Sequence, residues 1–272
     1  MLKNIQAPNQ RQGRGSPLLD IGRSLQLSIY LGWQDIRQAY RRSAVGPFWL
    51  TIGMAVQIVT MGLVFGLIFK TEMSEYLPFL ATSIILWGFI STTINEGCTT
   101  FISAEAIIKQ LRVPHFQHVL RVVWRNFATA GHNVIILPLV FLFFLVAPKW
   151  SLLAVLPGLI VLLINLTWVV WLLGMMSARF RDMPPIINSV VTIAFYVTPI
   201  MWYPKLISND SLAHLLLGLN PLYHWVQIVR LPILGQWPTL ENWCLAMLSA
   251  GVGWTITLLA YKKFKNMIAY WV

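Results

Sequence analysis

The sequence predicts an all-α membrane protein with six transmembrane helices and both termini in the cytoplasm. Three observations lead to this class: long uncharged apolar runs, few charged residues, and basic residues concentrated in short segments beside those runs. Of the 272 residues, 57% are hydrophobic and only 11% are charged, which is too few charges to cover a soluble globule of this length. A helix rises about 1.5 Å per residue and the bilayer core is about 30 Å thick, so about 20 apolar residues form one span.

The chain begins with a polar segment followed by an amphipathic helix. Residues 1–15 are predicted to be a mobile tail, and Ser16 followed by Pro17 is typical of a helix start. Apolar residues then recur at intervals of three or four, at Leu25, Ile29, Trp33, Ile36 and Tyr40. Because this spacing places them on one face, we expect the helix to lie in the membrane interface. The tail and this helix make up residues 1–42, and the membrane domain makes up residues 43–272.

The first span covers residues 43–69, which contain no formal charge. Arg37, Arg41 and Arg42 stand directly before it, and clustered basic residues beside a membrane helix are retained on the cytoplasmic side. The chain is therefore expected to enter the membrane from inside. Five further apolar runs are predicted to span, at residues 76–95, 126–147, 152–176, 186–203 and 242–261.

Residues 104–113 are too few and too charged to form a span. Ser103 can cap a helix there and Pro114 can end it, so the sequence predicts a short amphipathic cytoplasmic helix. It would expose Ile107, Ile108 and Leu111 along one side. Two interpretations remain open from the residues alone: a surface segment packed on its own protein, or a docking element for a cytoplasmic partner.

Residues 211–229 carry no formal charge and could be counted as a seventh span. Gly218 and the pair Asn220-Pro221 interrupt them, and such a break at mid-bilayer would leave backbone groups without hydrogen bonds. We therefore predict a re-entrant pair of short outer helices at residues 208–219 and 222–231. Six spans also place 16 of the 20 Lys and Arg residues inside, whereas a seventh span would move the basic residues 262–265 outside.

Motifs for several enzyme classes are absent from the sequence. No Gly is followed by Lys, so the phosphate-binding loop of a P-loop ATPase is missing. No Cys/His cluster has metal-ligand spacing, and no GxSxG motif occurs. Cys98 and Cys244 are predicted near opposite membrane faces, so we expect free thiols. The net charge of +11 fits basic residues beside spans, so we predict no nucleic-acid partner, no cofactor and no metal in this chain.

Two groups of side chains have both a structural and a functional interpretation. Glu96 follows the second span, and a structural carboxylate that reaches cytoplasmic water is favoured over a proton or ion path. Aromatic residues at the ends or interior of the first and fifth spans either anchor the interface or line a channel for sugars. They are Phe48, Trp49, Phe195, Tyr196, Trp202 and Tyr203.

Four segments of the sequence carry a resemblance to a known family. They are WQDIRQAYRRSAVGPFW at residues 33–49, EAIIKQLRVP at 105–114, ARFRDMPPIINSVVTIAFYVTPIMW at 178–202 and NPLYHWVQIVR at 220–230. Together they are distributed over residues 33–230 and resemble the ABC-2-type permeases that export bacterial surface polysaccharides. The combination is similar to the membrane subunit of an O-antigen exporter, with capsule exporters as the nearest related group.

This resemblance implies two copies of the six-span subunit around a central pathway, driven by two copies of a separate ABC ATPase subunit that holds ATP and Mg²⁺. The residues implied to couple to that ATPase are Glu105, Ile108, Lys109, Leu111, Arg112 and Pro114. The interfacial helix and the loop with Arg179 and Arg181 would flank the cytoplasmic entrance. The segment after the fifth span would form an outer gate, with Asn220, Pro221, Trp225 and Arg230.

The function expected from this resemblance is transport rather than catalysis. The chain would move a lipid-linked polysaccharide, first of all O-antigen, from the cytoplasm across the bacterial inner membrane. We hypothesise that Arg37, Arg41 and Arg42 contact its pyrophosphate, because guanidinium groups donate paired hydrogen bonds to phosphate; topology and lipid contact are the alternative. The other interpretations are a capsule or teichoic acid exporter, an ion-coupled carrier that depends on Glu96, and a membrane-embedded glycan-processing enzyme.

Overall fold

A computed structural model describes residues 17–39, 41, 46, 48–110, 113–204 and 217–272 of the chain. Within these ranges the regular structure is helical and contains no strand, which confirms the all-α class. Several predicted features lie outside the described residues: the tail before residue 17, Arg42, Leu111, Arg112 and most of the predicted helix at 208–219.

Eleven α-helices and one 3₁₀ turn make up the described regular structure. They are α1 (Pro17–Ala39), α2 (Phe48–Phe69), α3 (Met73–Cys98), α4 (Glu105–Gln110), α5 (His115–Asn133), α6 (Ile136–Phe143), the 3₁₀ turn (Trp150–Ala154), α7 (Val155–Arg179), α8 (Met183–Val197), α9 (Pro221–Ile233), α10 (Leu240–Phe264) and α11 (Ile268–Trp271).

Five helical segments are long and apolar enough to cross a membrane, so the protein is a multi-pass membrane protein. They are Phe48–Phe69, Met73–Cys98, His115–Phe143, Trp150–Arg179 and Leu240–Phe264. Each contains one of the predicted spans or most of it. The third begins at His115, well before the predicted start at residue 126. It therefore includes Arg121 and Arg125, which are paired with acidic side chains.

The predicted fifth span is shorter than expected. Its helix, α8, has 15 residues and ends at Val197, whereas the prediction extended to residue 203. Thr198 adopts extended backbone angles because the following Pro199 disfavours the helical conformation in the residue before it. At about 1.5 Å per residue, α8 does not reach across a core of about 30 Å, so a sixth span stays a prediction.

The centre of the bundle is α3, the most buried of the long helices. The helices α2, α5, α7, α8 and α9 all pack against it. Gly66 allows the close approach of α2, because a Cβ at that position would lie 2.6 Å from Sδ of Met73. The exposed helices α2, α8 and α10 therefore surround a core that α3 organises.

The first helix, α1, packs along α5. A Cβ at Gly32 would lie 2.9 Å from Cδ1 of Trp124, so this glycine permits the close contact. Of the predicted apolar face, Ile36 is buried against the protein while Ile29 and Trp33 remain about two-fifths exposed. Part of that face thus packs on α5, and its placement in a membrane interface stays a prediction.

Candidate functional site

The helix α4 lies at the end of the bundle that also carries the α7–α8 connection and α11, here called the α4 end. Nζ of Lys109 lies 2.6 Å from Oε1 of Glu105, one helical turn away. This hydrogen bond and the charge of Lys109 lower the pKa of the Glu105 carboxyl. Contrary to the prediction, Ile108 is not exposed: it is half-buried against a cluster that includes Phe101 and Val119. The exposed side of α4 is therefore polar.

The α7–α8 connection holds α11 close to α4 through an aromatic residue that the sequence did not mark as functional. An Arg181 guanidinium nitrogen donates a hydrogen bond to the Trp271 carbonyl oxygen at 3.2 Å. The guanidinium carbon of Arg179 lies 5.3 Å from the centre of the Trp271 ring. Ile268 is fully buried, so α11 is packed rather than free. The two predicted entrance arginines thus lie on exposed chain and support α11 beside α4.

An ion-pair network joins α1, α3 and α5 near the α4 end. Arg121 donates two hydrogen bonds to the Asp35 carboxylate, at 2.7 and 2.5 Å. Arg125 bridges two acids, with contacts of 3.3 Å to Asp35 and 2.6 Å to Glu96. Asn126 also donates to the Glu96 carboxylate at 2.6 Å. Two positive and two negative side chains therefore share one partly buried cluster.

Within this network Glu96 accepts hydrogen bonds from Arg125 and Asn126, and its structural role stays a prediction. Sequence reasoning nevertheless missed its partners, because Arg121 and Arg125 lie in a separate segment, before the predicted start of the third span. Their spacing of four residues on one helix face was the available signal. Of the arginines predicted to meet a head group, Arg37 and Arg41 are exposed and stand beside this network along the chain.

At the opposite end of the bundle, Arg230 is an almost completely buried cation on α9. Its guanidinium donates to Oγ of Ser83 at 2.9 Å and to the carbonyl oxygen of Pro199 at 2.6 Å. It also donates to Oε1 of Gln227 at 3.1 Å, and its central carbon lies 4.5 Å over the Phe79 ring. Among the described residues no carboxylate pairs with it. Arg230 therefore joins α9 and α3 to the turn after α8.

The other predicted outer-gate residues surround the start of α9. Asn220 caps the helix through its Oδ1, and its Nδ2 donates to Oγ1 of Thr198 at 2.9 Å. Pro221 is the first helical residue, where a missing backbone N–H carries no penalty. The Trp225 indole donates to Oγ of Ser249 on α10 at 2.9 Å. The structure thus brings Asn220, Pro221, Trp225 and Arg230 onto one element, within two residues of the predicted bounds 222–231.

The six predicted channel aromatics fall into two environments. The exposed ones are Phe48, Trp49 and Tyr196. Phe195 is instead half-buried against Trp87, with ring centroids 5.8 Å apart, and Tyr203 lies 4.4 Å from the Phe79 ring. Trp202 donates to the Tyr196 carbonyl oxygen at 3.2 Å, which folds the turn back on the end of α8. Lining a channel stays a prediction for all six, and the packed members also contribute to the fold.

Comparison with known proteins gives one family and several relatives. The sequence profile described as ABC-2 type transporter matches residues 26–234, more than half of the chain. The chain is 24% identical over 199 residues to the O-antigen export system permease protein RfbA of Myxococcus xanthus, covering 72% of this chain and 75% of that protein. It is 21% identical over 222 residues to a protein of the same name from Klebsiella pneumoniae, covering 75% of this chain and 82% of the relative.

Proposed function

The chain belongs to the ABC-2 type transporter family, and from this membership we propose that it is the permease subunit of an ATP-driven exporter of lipid-linked polysaccharide. The observation that carries the proposal is the match over most of the chain to relatives named as O-antigen export permeases. O-antigen is accordingly the first substrate to test, ahead of capsular polysaccharide and teichoic acid. ATP hydrolysis would take place on a separate ABC ATPase subunit.

The α4 end would face the cytoplasm of a cell with the protein in its inner membrane. Basic residues support this orientation, because they are retained on the cytoplasmic side of membrane helices. Those described at the α4 end include Lys109, Arg179, Arg181, Lys262 and Lys263. The opposite end carries Lys70 and Lys149 near its surface. In this orientation both termini lie in the cytoplasm.

The polar side of α4 would contact the ATPase. Glu105 and Lys109 offer one charge of each sign at a spacing set by one helical turn, which suits a groove lined with complementary charges. Ile108 fixes α4 to the core beneath, so a movement of the ATPase against α4 would reach α5 and α7 through packed side chains. Leu111, Arg112 and Pro114 would complete the contact after α4.

Two copies of the chain would enclose the pathway. The apolar residues Val56, Leu63 and Leu67 on α2 are more than half exposed. On α8, by contrast, the exposed side includes Asn188, whose side-chain amide has no hydrogen bond to another described residue. An amide facing lipid would stay unsatisfied, whereas one facing water or sugar hydroxyls would not. This supports α8 as a wall of the pathway and α2 as a contact with lipid or the second copy.

Export would begin at the arginines that precede α2. Arg37 and Arg41 are exposed, and Arg42 follows directly, so a pyrophosphate in the cytoplasmic leaflet could reach three guanidinium groups. Arg179 and Arg181 would flank the same entrance. The glycan would then pass along exposed aromatic rings, which tolerate a sliding chain because their faces carry no directional hydrogen bond.

The deciding experiment is ATP hydrolysis by the purified chain alone and after co-expression with its candidate ATPase, together with surface glycan in cells that lack the natural gene. We expect hydrolysis only with the ATPase present, and surface glycan only when both subunits are supplied. A Leu111→Asp version should dissociate or uncouple the complex. Transport by vesicles that hold this chain alone would contradict the proposal and favour the ion-coupled carrier. The ion pair between Arg125 and Glu96 is an argument against that carrier, because it engages the carboxylate on which the carrier would depend.

A further inference from the structure

A cavity of about 410 Å³ lies between α2, α3 and α5. Its described lining contains no residue assigned above to coupling, entrance or gate, and it shares Trp49 with the predicted channel aromatics. Its volume is in the range of small-ligand sites, about 300–1,000 Å³. It is lined by Trp49, Leu50, Gly53, Met54, Gln57, Gly88, Phe89, Thr92, Asn126, Thr129, Ala130 and Asn133. The lining therefore mixes apolar groups with three amides and two hydroxyls.

Several of the polar groups in the lining have no side-chain hydrogen-bond partner among the described residues. Among the described residues, the Gln57 amide, the Thr92 hydroxyl and the Trp49 indole N–H make no side-chain hydrogen bond. Asn133 uses only its Oδ1, which accepts from Thr51 at 3.2 Å, so its N–H groups are unused. Gln57 is the tenth residue of α2 and thus about 14 Å along it, close to mid-membrane. Polar groups that face lipid at that depth are costly, so an occupant that hydrogen-bonds to them would stabilise the protein.

The charge of the surroundings restricts the chemistry of that occupant. Among the described residues, no charged side chain lines the cavity. The nearest cations along α5, Arg121 and Arg125, are engaged by Asp35 and Glu96, so they do not compensate a phosphate. Amides and hydroxyls pair with uncharged hydroxyl groups, and the exposed Trp49 ring offers a flat apolar face. These features together fit a sugar ring better than a phospholipid head group.

We propose that this cavity binds one uncharged sugar residue of the exported glycan. The inference rests on the proposed function, since it names a subsite for the same substrate. It differs from the pathway between two copies, because the cavity is formed by three helices of one chain and opens at its surface. Gln57, Thr92 and Asn133 would form hydrogen bonds with the hydroxyl groups of the sugar, and the Trp49 ring would stack on one face of the sugar ring.

The glycine at position 53 provides a test that spares the fold. A Cβ at Gly53 meets no atom within 4 Å, so a leucine there fills open space in the cavity wall rather than displacing neighbours. Gly251 on α10 has the same open surroundings and does not line the cavity. Gly53→Leu and Gly251→Leu are therefore matched variants that differ in whether they occupy the cavity.

The experiment uses the complete exporter with its ATPase in glycan-producing cells. A photoreactive benzophenone amino acid replaces Leu50 inside the cavity or, as a control, Val59, which is exposed on α2 outside it. After illumination we expect a covalent glycan adduct at position 50 and none at 59. In the position-50 protein, Gly53→Leu should abolish the adduct and Gly251→Leu should leave it.

The contrary results are equally defined. A phospholipid adduct, no adduct, or equal glycan adducts at positions 50 and 59 would overturn the proposed sugar site, provided that the unmodified exporter still displays surface glycan. Absence of surface glycan with the unmodified exporter would instead count against the proposed function, and the sugar site would be rejected with it. The surface-glycan readout thus distinguishes the two failures.

Discussion

Arg125 of α5 and Glu96 of α3 form a 2.6 Å ion pair that fixes two neighbouring helices at the same depth. Arg125 also contacts Asp35 of α1 at 3.3 Å, so one guanidinium connects three helices. Charged side chains are expensive at membrane depth, and pairing is the usual way in which they are accommodated. The pair therefore compensates one of the two arginines in the half of α5 that precedes its apolar part.

The variant Glu96→Gln distinguishes two roles of this carboxylate, a structural ion pair and a step in a proton path. We expect a loss of about 1 kcal/mol of stability, because the amide keeps a polar contact but loses the charge pairing in a partly exposed site. Glycan export per folded protein should remain. The measurement is thermal unfolding in detergent together with surface glycan, with the exposed Glu241→Gln as a control. Complete loss of transport at an unchanged unfolding temperature would favour the carrier instead.

Asp35→Asn should loosen α1 without unfolding the bundle. Both hydrogen bonds from Arg121 weaken when the carboxylate becomes a neutral amide. The large packing interface of α1 is with α5, so few other contacts hold α1 in place. We expect faster limited proteolysis within α1 and an unfolding temperature that changes little. Asp182→Asn, at an exposed acid outside the network, is the control and should digest like the parent. Equal digestion of the two variants would show that the network does not hold α1.

The charges on α4 can be tested by exchange. Lys109→Glu should reduce co-purification of the ATPase, while the exchange Glu105→Lys with Lys109→Glu restores the pair within the helix. A solvent-exposed pair of this spacing contributes little to stability, so helix stability is a small part of the effect. If the ATPase recognises the position of each charge on α4, the exchanged protein should also fail to bind the ATPase. Full binding by the exchanged protein would mean that only the helix matters.

Acidification should weaken the same α4 pair. Lys109 lowers the pKa of Glu105, so the stabilisation by this pair is present above the pKa of an unperturbed carboxyl and is lost as the pH falls through the lowered value. We therefore expect ATPase co-purification by the parent to decrease at strongly acidic pH. In a Glu105→Gln protein this decrease should be smaller. Identical pH profiles for the two proteins would exclude a role for the ionised carboxylate.

Arg230→Lys should destabilise the protein strongly although it keeps the charge. A lysine cannot reproduce the several donors that the planar guanidinium aims at Ser83, Pro199 and Gln227, so buried acceptors lose their partners. We expect a loss of about 2–4 kcal/mol. Unfolding in detergent measures it, and the exposed Arg37→Lys should change stability by less than about 0.5 kcal/mol. A stable Arg230→Lys protein would mean that a single positive charge is sufficient there.

Arg37→Gln and Arg41→Gln together test the proposed contact with pyrophosphate. Both side chains are exposed, so we expect normal protein levels. Surface glycan should fall at least about tenfold, because the loss of even one charge-assisted contact of about 1.4 kcal/mol lowers an affinity by that factor. Export at the parental rate would leave topology and lipid contact as the role of these arginines.

The apolar runs and basic flanks were enough to predict most of the fold. Five predicted spans correspond to helices of sufficient length, and α9 begins one residue before its predicted start. The end of α8 was misjudged because hydropathy continues through residues 198–203, whereas the backbone responds to Pro199. Hydropathy measures only the preference for lipid, so it does not locate a local break in an apolar run.

The sequence by itself determined the class of protein: a multi-pass helical membrane protein without a phosphate-binding loop, similar to polysaccharide permeases. Only the tertiary structure decided which polar groups are partners. Glu96 and Arg125 are 29 residues apart in the chain, and Ser83 and Arg230 are 147 apart. A hydropathy pattern is a local property of neighbouring residues, whereas an ion pair or a polar cavity requires helices distant in sequence to pack at one depth, because only packing brings their side chains within hydrogen-bond distance.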